Sequence, residues 1–192
     1  MRYATVALIH AAILAAVSPA LFAQWLDYPT PGVPRTPDDK PNLSAPAPKA
    51  ADGKPDLSGM WGWETARPCP REVVGTTKSV QIPGRIAILT ERNMAYRQIF
   101  TDGRPLPVDP NPTWKGYSTG KWDGDTLVVQ TIGFRDDLWL DSDGSPLTSA
   151  AKVTEKFRRS NYGMLEIEIT VDDPTAYTAP RTVKLTQPLM VE

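Results

Sequence analysis

Histidine is almost absent from this chain: there is one copy, His10. It sits inside an apolar run, Ala4 to Val17, that follows Arg2. A basic start and a short hydrophobic core are the marks of an export signal. Ser18-Pro19-Ala20 offers a cleavage point after Ala20, and Ala23 offers a second. Residues 1–23 are therefore read as a signal peptide, and the mature chain then carries no imidazole. That excludes a Ser-His-Asp triad, a Cys-His dyad, a histidine base and a histidine-ligated zinc. Cysteine is equally scarce. Cys69, in Pro68-Cys69-Pro70, is the one copy, so no internal disulfide framework exists although an exported protein would permit one. No cofactor is implied. Long apolar runs are missing as well. The N-terminal run is shorter than the roughly 20 residues of a spanning helix, and no later stretch approaches that, so no membrane span is expected after cleavage. An excess of one charge is also missing: 21 Lys and Arg stand against 22 Asp and Glu. Cleavage removes Arg2 and no acidic residue. Nucleic acid and anionic membranes select clustered positive charge, so neither is expected as a main partner.

Proline is abundant, with 20 copies. Between Gln24 and Pro55 it recurs at 29, 31, 34, 37, 41, 46, 48 and 55. Such a composition buries too little apolar surface to offset its ordering entropy and favours extended conformations. Residues 24–55 are expected to be a disordered tether, with the domain running over 56–192.

Within that domain the pattern is short strands and turns. The central stretch is Gly116 to Ile132, GYSTGKWDGDTLVVQTI. Tyr117 to Trp122 and Thr126 to Ile132 suit a pleated, half-buried surface, and Asp123-Gly124 is a strong hairpin signal. Lys78–Ile82, Arg85–Glu91 and Met94–Thr101 read as strands, with turns at Pro83-Gly84 and Arg92-Asn93. Alternation puts Arg97 with Ala95, Ile99 and Thr101 on one face, and Tyr96 with Met94, Gln98 and Phe100 on the other. Residues 133–144 read as a packed loop across one end of the sheet. Residues 151–160 and 164–173 form a third hairpin, where Leu165, Ile167, Ile169 and Val171 alternate with polar residues. Thr182–Thr186 starts another strand. Eight or so such strands predict an all-β fold, an antiparallel up-and-down barrel or else a β-sandwich. The barrel is favoured because closure removes exposed edges.

Leu57-Ser58-Gly59-Met60-Trp61 resembles the opening of lipocalin-like (calycin) barrels, in which the Trp plugs one end. YRQIFTDGRPLP (96–107), DPNPTWKGYSTGKWDGDTLVVQTIGF (109–134), LWLD (138–141), VTEKFRR (153–159) and LEIEITVDDPTAYTAP (165–180) together resemble a family of exported bacterial β-rich proteins. The likeness spans roughly residues 56–187 and implies a secreted β domain without assigning a reaction. Against that pattern, this chain has Ser145-Pro146-Leu147-Thr148 where relatives carry a histidine. Its stretch between the Gly-x-Trp strand and Cys69 is shorter, and it ends early, which implies a missing closing strand.

Three groups of residues carry chemistry. Arg97, Asp102 and Arg104 with Glu155, Arg158 and Arg159 can clamp an anion at a barrel mouth, or form cross-strand salt bridges on a solvated face. Asp136, Asp137, Asp141 and Asp143 precede Gly144. Asp141 and Asp143 match a fragment of a calcium loop but lack its full spacing, and turn capping explains them as well. A set of aromatic residues, among them Trp61, Trp63, Tyr96, Trp114, Tyr117 and Trp139, divides between core and cavity lining. The leading expectation is a periplasmic or secreted protein that binds a small anionic or aromatic molecule through Arg97, Arg104, Tyr117, Glu155 and Arg158. The alternatives are a hydrolase or lyase, with Glu155 as base and Tyr117 or Asp102 as partner, and a structural envelope protein. Nothing in the sequence sets an oligomeric state.

Overall fold

The hairpin at the centre of the sequence forms around a two-residue turn. In this computed structural model, β5 (Tyr117–Asp123) pairs antiparallel with β6 (Thr126–Ile132), and Asp123 faces Thr126. The turn is thus Gly124-Asp125, one residue later than Asp123-Gly124. Gly124 has φ 57° and Asp125 stays out of the positive region. A glycine at the first central position is what a type II′ turn requires.

The structure describes residues 31–62, 76–91, 94–141 and 143–191. The signal peptide, Trp63, Cys69 and the Arg92-Asn93 turn lie outside those residues. Gly32–Val191 form one compact unit. Its first strands are β1 (Gly59–Gly62), β2 (Thr76–Ile82), β3 (Arg85–Thr90) and β4 (Ala95–Phe100). After β5 and β6 come the two-residue strands β7 (Leu138–Trp139) and β8 (Pro146–Leu147). The long strands β9 (Lys152–Asn161), β10 (Met164–Asp172) and β11 (Arg181–Pro188) follow. There is no helix among the described residues.

Nine strands make one sheet in the order β1-β2-β3-β4-β5-β6-β9-β10-β11, while β7 and β8 pair separately. The fold is an all-β barrel, nearly closed. An antiparallel bridge joins Trp61 to Leu189, and Met190 N–H donates to Met60 O at 2.8 Å. Residues 189–190 thus bring the chain after β11 back against β1. The expected topology needs one correction. β4 and β5 run parallel, with Ile99 beside Ser118 and Phe100 beside Thr119. The proline-locked loop 101–116 carries the chain back to the same end before β5 begins, and a crossover of that kind makes a parallel pair.

The tether expected over 24–55 also needs correction where it is described. Residues 32–55 belong to the compact unit. Asn42 N–H donates to Pro34 O, and Asp56 N–H donates to Pro48 O. Tyr162 and Gly163 N–H, at the β9–β10 turn, donate to Ala45 and Leu43 O at 2.8 Å each. Proline-rich backbone lacks donors, yet its carbonyls remain free to accept. The segment is held through those carbonyls, a contribution that composition does not reveal.

The interior has two apolar clusters. Leu57, Trp61, Ile86, Ile99, Leu127, Val129, Phe157, Leu165, Ile167 and Leu189 form the larger. Phe134, Leu138, Leu147, Ala151, Val153 and Val171 form the smaller, beneath the β7–β8 loop, and Ile169 touches both. Along β9 the inward residues read Val153, Glu155, Phe157 and Arg159, all buried. One charged layer therefore lies between the clusters, and a second lies at the far end.

Candidate ligand-binding site

Strand alternation puts Arg97 of β4 and Glu155 of β9 inside the barrel, and two strands separate them in the sheet. Arg97 reaches across both. Its Nε donates to Ser118 Oγ of β5 at 2.9 Å, and its Nη2 donates to Thr131 Oγ1 of β6 at 2.7 Å. Nη1 and Nη2 meet Glu155 Oε1 and Oε2 at 2.9 and 2.5 Å. Ser118 and Thr131 also bond to each other at 3.0 Å. The fork geometry suits a guanidinium on a carboxylate. The pair is electrically neutral as a unit, and its polar atoms have partners. Among the described residues no buried side-chain nitrogen or oxygen lacks one.

On one side of the pair lies an apolar chamber of about 190 Å³. Ile88, Ile169, Leu185, Phe157, Trp61 and Leu57 line its walls. Trp61 is fully buried, and its Nε1 donates to Ser79 Oγ at 2.9 Å and Leu57 O at 3.2 Å. Arg159 closes this end. Its guanidinium sits 4.9 Å from the Trp61 ring centre and donates to the carbonyls of Asp56, Ser58 and Tyr162. Burial pulls its pKa below the usual guanidinium value.

On the other side the site widens into a vestibule of about 850 Å³. Tyr96, Trp114 and Trp139 stand exposed on its rim. Tyr96, Arg97, Lys115 and Glu155 line both spaces. Lys115 is therefore a site residue that sequence reasoning missed. Its place is fixed from both sides. Before it, Thr113 N–H donates to Gly133 O at 3.0 Å, and Arg135 N–H donates to Thr113 O at 3.2 Å. After it, Gly116 has φ 65°, and a Cβ there would lie 2.6 Å from Thr131 Cγ2. Burial, and then the Arg97 charge, pull the Lys115 pKa below the normal lysine value. Among the described residues Lys115 makes no ion pair. A loop lysine has no periodicity to betray it. Its neighbours Trp114 and Gly116 were the one available hint.

The remaining candidates lie elsewhere. Arg104 binds Asp102 through Nε and Nη2, the latter at 2.6 Å, and reaches Tyr117 Oη at 3.4 Å. It also lies 4.0 Å from the Phe100 ring centre, and Tyr117 stacks on Phe100 at 5.2 Å. Phe100 belongs to the β4 face opposite Arg97, so Asp102, Arg104 and Tyr117 sit outside the chamber. Arg158 also faces outward, 3.6 Å from Glu166 across the β9–β10 hairpin. The one-residue alternation that turns Glu155 inward turns Arg158 outward.

In the acidic loop, Asp141 accepts from Asp143 and Ser145 N–H and from Ser145 Oγ. Asp136 accepts from Ser149 N–H, and Asp137 pairs with Arg135. The Asp141 and Asp137 contacts are local turn contacts, and the Asp136 contact ties the two ends of the loop together. Among the described residues no cluster of three metal-ligating side chains occurs. No family model, curated protein or solved structure matches the chain.

Proposed function

We propose that the barrel binds a small molecule with an apolar body and a polar end, as an exported protein of the β-rich type that its motifs resemble. The body fills the chamber, and the polar end meets Lys115 at the mouth. The observation that carries this reading is the coincidence of three features: an apolar space unfilled by side chains, a rim that it shares with an open vestibule, and an uncompensated cation on that rim. Pockets of this make-up, apolar walls with a few placed polar groups, are the usual form of small-molecule sites. An apolar cavity of about 150 Å³ accepts benzene, so a six-carbon body is the right scale for this chamber. Catalysis by Glu155 is less well supported. Both of its oxygens are held by Arg97, and neither Tyr117 nor Asp102 lines the chamber.

The test is a thermal-unfolding titration with hexanol and hexanoate. A ligand at a hundred times its dissociation constant stabilises by about 2.7 kcal/mol. For a domain of this size that is a rise of roughly 5–10 °C. The reading expects such a rise with one or both probes. If neither shifts the transition at millimolar concentration, the reading fails.

A further inference from the structure

We propose that Lys115 captures the carbonyl carbon of a small apolar aldehyde or ketone as a reversible imine. The inference rests on the ligand-binding reading and names the chemical class of its ligand. The geometry comes first. Lys115 lines the apolar chamber and the open vestibule at once, so its amine stands where the polar end of a chamber-bound molecule would emerge. Its charge is also unsupported. Lys40, Lys49, Lys156 and Lys184 each pair with a carboxylate. Among the described residues Lys54, Lys78, Lys121 and Lys152 have no such pair either, but none of them lines the chamber or the vestibule. Near Lys115, Arg97 has already taken up Glu155, the one carboxylate among the described residues that lines the chamber, and Arg135 has taken up Asp137 of the vestibule. A second cation beside a guanidinium, partly out of water, is disfavoured relative to the free amine. A desolvated amine next to another cation is the arrangement that makes lysine a nucleophile toward carbonyls.

The step balances without a co-reactant. The neutral Lys115 Nζ gives its lone pair to the carbonyl carbon, and the carbonyl π pair moves to oxygen. A proton passes from nitrogen to that oxygen through water in the open vestibule, giving a carbinolamine. Protonation of its hydroxyl from vestibule water then expels water as the nitrogen lone pair forms the C=N bond, and the resulting iminium returns its N–H proton to that water to leave the imine. Hydrolysis reverses each step. The apolar walls hold the alkyl body and limit water behind the new bond, while the vestibule lets water leave. A simple anion would act in the opposite way. Its charge would favour the ammonium form and leave no covalent mark.

The experiment uses hexanal with cyanoborohydride near neutral pH, followed by digestion and mass spectrometry. Reduction turns the imine into a secondary amine that carries the mass of hexanal less its oxygen. The expected result is labelling of Lys115 at least about tenfold over exposed Lys121 and Lys152, as a desolvated amine should show. Excess hexanol, which fills the chamber but forms no imine, should suppress that label. Lys115→Met should remove it from a protein that still melts cooperatively. Equal labelling of all lysines, while hexanol still raises the melting temperature, overturns the imine and leaves the binding reading intact. Failure of hexanal to label the site, with neither hexanol nor hexanoate raising the melting temperature, overturns both.

Discussion

Arg97 and Glu155 are each costly to bury alone and tolerable together. Loss of one partner leaves an uncompensated charge between two apolar clusters, which costs about 3–5 kcal/mol. Arg97→Met should therefore lower the urea midpoint sharply. Arg97→Met combined with Glu155→Met should recover most of the loss, and a double-mutant cycle measures that recovery. Lys115 has the opposite balance. Its pKa is lowered in the fold, so the ammonium form carries a cost that is present at neutral pH. That cost fades as pH rises from the folded value toward about 10.4, the unfolded one. Lys115→Met should raise the urea midpoint at neutral pH, and the gain should shrink toward pH 10. Asp173, buried in the β10–β11 connection, behaves as a conventional acid-side group. Burial pushes its carboxyl up, but donors from Thr148, Ala176 and Thr175 outweigh that and lower its pKa. Its contribution is complete above the unfolded value of about 3.9 and is lost as pH falls through the lower folded value. Asp173→Asn should reduce stability at neutral pH by about 1–3 kcal/mol. It should also flatten the acid limb of the stability–pH curve.

Between neighbouring strands of the nine-stranded sheet, the seam with the fewest registered pairs is the parallel one. β4 and β5 share two registered pairs, against seven between β5 and β6. Arg97 spans that seam from β4 to Ser118, Thr131 and Glu155, and so ties β4 to β5, β6 and β9. Much of this level was legible in sequence. Alternation put Arg97 and Glu155 inside and ran Leu165 to Val171 along the core, because a strand's period of two is local. The parallel seam was not legible, since nothing local states which way a proline-locked loop delivers the next strand. Lys115 was hidden for the same reason, because its place depends on Gly116 and the Thr113 bridge. The docking of residues 32–55 was hidden because it uses carbonyls, which every residue has. That docking can be tested at Gly163. A Cβ there would lie 2.5 Å from Leu43 Cβ and 3.1 Å from Leu43 O. Gly163→Ala should push the proline-rich segment off the β9–β10 turn while β9 and β10 stay paired. Limited proteolysis should then cut within residues 36–52 faster than in the parent protein. Unchanged cleavage would mean that the segment is held by something other than this contact.

Over the whole barrel, two demands compete for the same interior. A closed sheet is most stable when side chains fill it to crystal-like density, whereas binding needs space kept open. Here the deep end is filled by Trp61 under Arg159, and Phe134, Leu138 and Leu147 wall the open vestibule at the other end. The space that remains lies between these ends, beside the Arg97–Glu155 layer. Ile88 is the residue to use against it. It is half-buried on β3, lines the chamber and stands opposite Arg97 in the β3–β4 register. Ile88→Phe adds ring volume to a space that other side chains leave unfilled, so the usual overpacking penalty of about 1–3 kcal/mol should be small or reversed. The urea midpoint of the variant should match or exceed that of the parent, because cavity filling is a common route to added stability. Its thermal shift with hexanol should be lost over the same concentration range. Normal stability together with an undiminished hexanol shift would place the ligand outside the chamber. A large loss of stability would show instead that the walls are already packed, and that the barrel has no room to give.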